Sequence, residues 1–68
     1  MAEHTVGQHT ITDEQLDIIR QAVTEGRTPT DIANSLARIA DLGESTTMFL
    51  EAVASTIAEG KPLPWEHS

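Results

Sequence analysis

Residues 28–60 read TPTDIANSLARIADLGESTTMFLEAVASTIAEG, and this stretch decides the fold. Ile32, Leu36, Ile39 and Ala40 recur at i, i+4, i+7 and i+8, which places them on one face of a helix. Thr28 is a suitable N-cap, Pro29 suits the first helical position and Asp31 falls at N3. Gly43 is expected to end this helix, giving it a span of about 29–42. A second stripe follows, in which Phe49, Val53 and Ile57 recur every four residues with Leu50 beside them. This helix is expected to start at Glu44 or Ser45, with Ser45 the better cap, and to run over about 45–59, ending at Gly60. Neither stripe can be buried alone, so the pair needs a third apolar surface.

The segment from Thr12 to Glu25 supplies it. Thr12 with Gln15 three residues on forms a capping box, and Ile11 with Leu16 forms a hydrophobic staple. Asp13 and Glu14 lie in the first turn, where the helix dipole favours acids. Leu16, Ile19 and Val23 make the inner face, with Ala22 at its edge, and Gly26 is a ready stop. At about 100° per residue, Ile18 points instead toward Glu14, Gln21 and Glu25. It is expected to flank the core, with exposure among acids as the alternative. The expected fold class is therefore all-α: a small three-helix bundle with helices at about 12–25, 29–42 and 45–59.

The two ends read as accessories. Residues 1–11 are polar and suit a flexible arm, with His4 and His9 solvated within it and a short docked extended segment as the alternative. In the tail, 61–68, two prolines favour an extended course. Trp65 either folds back to plug the open end of the bundle or anchors a partner as a docking peptide. His67 and Ser68 read as a frayed end.

Composition bounds the function. The 68 residues make one domain of marginal size, with no cysteine to staple it. Four Lys+Arg against eleven Asp+Glu give a formal charge of −7, which repels phosphate backbones and favours a basic protein partner. The first residues show no basic, apolar leader, and no apolar run has membrane-spanning length, so a cytoplasmic location is expected. No nucleophile with a base, no phosphate loop and no metal-ligand spacing is present, so no enzyme, no cofactor and no metal are expected. The cluster Asp13, Glu14, Asp17 is explained by the helix dipole.

The run EGRTPTDIANSLA, residues 25–37, resembles the opening of a helix-turn-helix. That resemblance implies a scaffold in which a following helix would enter the DNA major groove. The segment from Glu44 to Glu59 holds three glutamates and neither Lys nor Arg, which disfavours groove binding and makes nucleic acid an improbable partner. The leading expectation is a non-enzymatic acidic module that binds a basic surface of a partner protein. In size and charge it is similar to small phage-encoded inhibitors, including many anti-CRISPR proteins. The alternative is a structural subunit or a homo-oligomer. Candidate contact residues are Asp13, Glu14, Asp17 and Ile18 in the first helix, Glu44, Met48, Glu51 and Glu59 in the third, and Trp65 in the tail.

Overall fold

The computed structural model describes residues 3–66. Met1, Ala2, His67 and Ser68 lie outside them, so the frayed end and the first two residues of the arm are not described. The chain is not all-α. Two antiparallel strands, β1 (Glu3–Val6) and β2 (His9–Thr12), precede three helices, α1 (Asp13–Thr24), α2 (Pro29–Ala40) and α3 (Glu44–Ala58). A single 3₁₀ turn, Pro64–Glu66, follows.

The expected flexible arm is thus a hairpin, and its residues explain why. Thr5, Val6, Thr10, Ile11 and Thr12 are β-branched and favour extended backbone. Gly7, at φ 62°, opens a two-residue connection with glycine in the position that a type II′ turn requires. His4 pairs with Ile11 and Val6 with His9, so these four share one face. That face turns inward, while Glu3, Thr5 and Thr10 are exposed. A lone two-stranded hairpin is marginal in water; packing stabilises this one, for Ile11 is completely buried.

β2 runs into α1 without a loop, because Thr12 is both the last strand residue and the helix N-cap. The Gln15 N–H donates to Thr12 Oγ1 at 3.1 Å, and the Thr12 N–H donates to Gln15 Oε1 at 3.0 Å. α1 and α3 end alike. Arg27 N–H reaches the Ala22 carbonyl and Lys61 N–H the Thr56 carbonyl, each past a left-handed glycine, Gly26 or Gly60. α2 closes in the same manner, with Leu42 N–H on the Ala37 carbonyl, but its left-handed residue is Asp41 at φ 54°. Asp41 therefore ends α2, not Gly43. Gly43 caps α3 in place of Ser45, with no side-chain bond to the first turn.

The core joins Ile11 to Leu16, Ile19 and Ala22 of α1, to Ile32, Ala33 and Leu36 of α2, and to Leu50, Val53 and Ala54 of α3, with Leu63 from the tail. Ala33 and Ala54 are fully buried, and their small side chains let α2 and α3 approach closely. Phe49 and Ile57, expected inside, are half-buried at its margin. The tail is not simply extended: Leu63 is 2% exposed, and Trp65 packs against the core under β1. Two residues of the expected α2 face, Ile39 and Ala40, are exposed. Ile39 lies on the azimuth of Ile32 yet is 81% exposed, because no described residue covers the last turn of α2 on that side.

Leu63→Ala should therefore destabilise the protein by roughly 2–5 kcal/mol, the usual range for emptying a buried leucine site. Urea unfolding followed by Trp65 fluorescence measures it. Asp41→Gly should raise stability by about 0.5–1 kcal/mol, since glycine takes φ 54° without a Cβ penalty; the melting temperature reports the gain.

Candidate functional site

Two outward stripes carry the expected contact residues other than Asp13 and Trp65. On α1, Glu14, Asp17, Ile18 and Gln21, continued by Glu25 at the C-cap, fall within a sector of about 100° and extend for roughly 16 Å. All five are exposed. Ile18 does not flank the core as expected; it is 46% exposed in the middle of this row. On α3, Glu44, Met48, Glu51 and Ser55, continued by Glu59 at the C-cap, form the corresponding outer row. Met48 is 67% exposed there. Each stripe therefore sets one apolar side chain among carboxylates.

The candidate acids differ in their engagement. His4 Nε2 donates to Asp13 Oδ1 at 2.7 Å, so Asp13 ties the hairpin to the start of α1. Lys61 Nζ donates to Glu59 Oε1 at 3.1 Å, and Ser55 Oγ donates to Glu59 Oε2 at 3.3 Å. The Lys61 bond and charge, with the Ser55 bond added, hold the Glu59 carboxyl below the usual carboxylate range. Glu14, Asp17, Glu25, Glu44 and Glu51 have no ion pair or side-chain hydrogen bond among the described residues. Glu25 was not among the expected contact residues; its signal was its spacing from Ile18.

Trp65 is placed elsewhere. Its indole stacks on the His4 ring, with centroids 4.8 Å apart and planes 10° apart. His9 stacks in the same way on Phe49 of α3, at 5.0 Å and 15°. The two histidines are thus partly buried packing groups, not the solvated side chains expected from the sequence. Trp65 belongs to the same closure, packed against the core.

Among the described residues no pocket opens, and no group of three or more His, Asp and Glu gathers at metal-binding distance. No described helix is long and apolar enough to cross a membrane. In comparisons with known proteins, no family model, curated protein or solved structure matches this chain.

The Glu59 contact gives a direct titration test. Lys61→Ala should raise the Glu59 carboxyl toward its ordinary value, as read by carboxyl-carbon NMR. The sign follows from the depressed value: whatever the pair contributes to stability is present above the ordinary carboxylate range. It is lost as pH falls through the lowered Glu59 value.

Proposed function

We propose that the protein is a non-enzymatic binding module whose acidic helical faces engage a basic surface of a partner protein. The supporting observation is the pattern repeated on α1 and α3: an exposed apolar residue, Ile18 or Met48, set among unpaired carboxylates. The carboxylates steer a cationic surface into place and reject acidic ones. The apolar side chain adds burial that charge alone does not supply. A basic surface evolved to hold nucleic acid has the matching chemistry, so occupancy of such a surface would make the module an inhibitor. The formal charge of −7 favours encounter with that class of partner.

The test is capture of a partner from native extract, repeated at ionic strengths from about 50 mM to about 500 mM. Affinity should fall steadily with salt. The Glu14→Gln, Asp17→Asn, Glu25→Gln variant should bind about ten-fold more weakly, taking about 0.5 kcal/mol for each exposed pair. A partner held equally well at every salt concentration, or by the neutralised variant, would contradict the reading.

A further inference from the structure

We infer that the last turn of α2, centred on Ile39, is the face through which two copies of this chain pair. The inference does not rest on the basic-partner reading and concerns a different surface.

Ile39 is not an incidental surface residue. It shares a meridian with Ile32, which is 1% exposed, yet it is 81% exposed two turns further on. The core-facing side of α2 thus continues beyond the neighbours that cover it. Ala40 next to it is also exposed, and Leu42 is only half-buried, so the apolar surface extends around the turn.

Charge selects the occupant. α1 carries Asp13, Glu14 and Asp17 against Arg20, and α3 carries Glu44 and Glu51 against no base. α2 balances Asp31 against Arg38, and Arg27 Nε bonds Asp31 at 3.2 Å. It is the one helix without net negative charge. A basic partner has least to gain at this face, whereas two acidic copies repel each other least here.

The flanking residues are also self-complementary. Arg38 and Asp41 lie on either side of Ile39 in the chain, both exposed, and neither side chain has a hydrogen bond or ion pair among the described residues. In a twofold pair centred on Ile39, Arg38 of each copy meets Asp41 of the other. Asp41 stands in left-handed backbone where the other two helices end in glycine. A carboxylate that costs local stability at this position has a use when a second copy supplies its cation. The contact is small against the roughly 800 Å² per partner of a standard interface, so the pair is a weak one.

Sedimentation equilibrium of the full chain tests this, from about 10 μM to about 1 mM, at about 0.3 M salt to screen like-charge repulsion. The expected result is a reversible monomer–dimer equilibrium. Ile39→Glu should weaken it about ten-fold or more, with the far-UV circular dichroism unchanged because the site is exposed in the monomer. Ile18→Glu should leave it intact. Arg38→Glu and Asp41→Arg should each weaken pairing alone, and an equimolar mixture of the two variants should restore it. A monomer throughout, a dimer indifferent to Ile39→Glu, or a mixture without restoration would overturn the inference.

Discussion

Closure of the core by both ends of the chain is the constraint on which this structure depends. Three helices of 12, 12 and 15 residues supply too little apolar surface to bury one another completely. The remaining surface comes from Ile11 in the hairpin and Leu63 in the tail, both essentially inaccessible to water. Two stacked pairs hold these segments down: His4 on Trp65 and His9 on Phe49. An imidazole suits this margin, since its face covers an aromatic ring while its edge still reaches a polar partner. His4 does both, lying flat on the indole and bonding Asp13. The strand, the first helix and the tail meet at that one side chain.

What was legible in the sequence follows from how locally each feature is encoded. The Thr12–Gln15 box, the Thr28-Pro29 start and the glycine stops of α1 and α3 each depend on a few adjacent residues, and all of them form. The hairpin was missed because its inward face carries two histidines, which break the apolar alternation that marks a strand. The surviving signal was Gly7-Gln8 between β-branched runs. Ile39 was misplaced for another reason. Periodicity gives the direction in which a side chain points, but not how far the neighbouring helix extends to meet it. Ile18 fails similarly, as a position between the buried and solvent-facing sides. The acidic stripes were legible as spacing; the engagement of Asp13 by a strand histidine and of Glu59 by Lys61 required the fold.

The surface divides by charge. Carboxylates crowd the outer sides of α1 and α3, while α2 is balanced and ends in an uncovered apolar turn. The division allows contacts of opposite character on one small protein, charge-steered on two helices and apolar on the third. It also locates local strain: the single non-glycine residue with positive φ among those described, Asp41, lies at that turn.

The claim that the ends complete the core is tested most directly by unfolding with two probes. Trp65 is the chain's one tryptophan, so its fluorescence reports the closure, and far-UV circular dichroism reports the helices. If hairpin, tail and bundle form one cooperative unit, both signals change at the same urea concentration with the same slope. Exposure of Trp65 well before the helices melt would show that the ends are ornaments on a self-sufficient bundle, and would contradict the account.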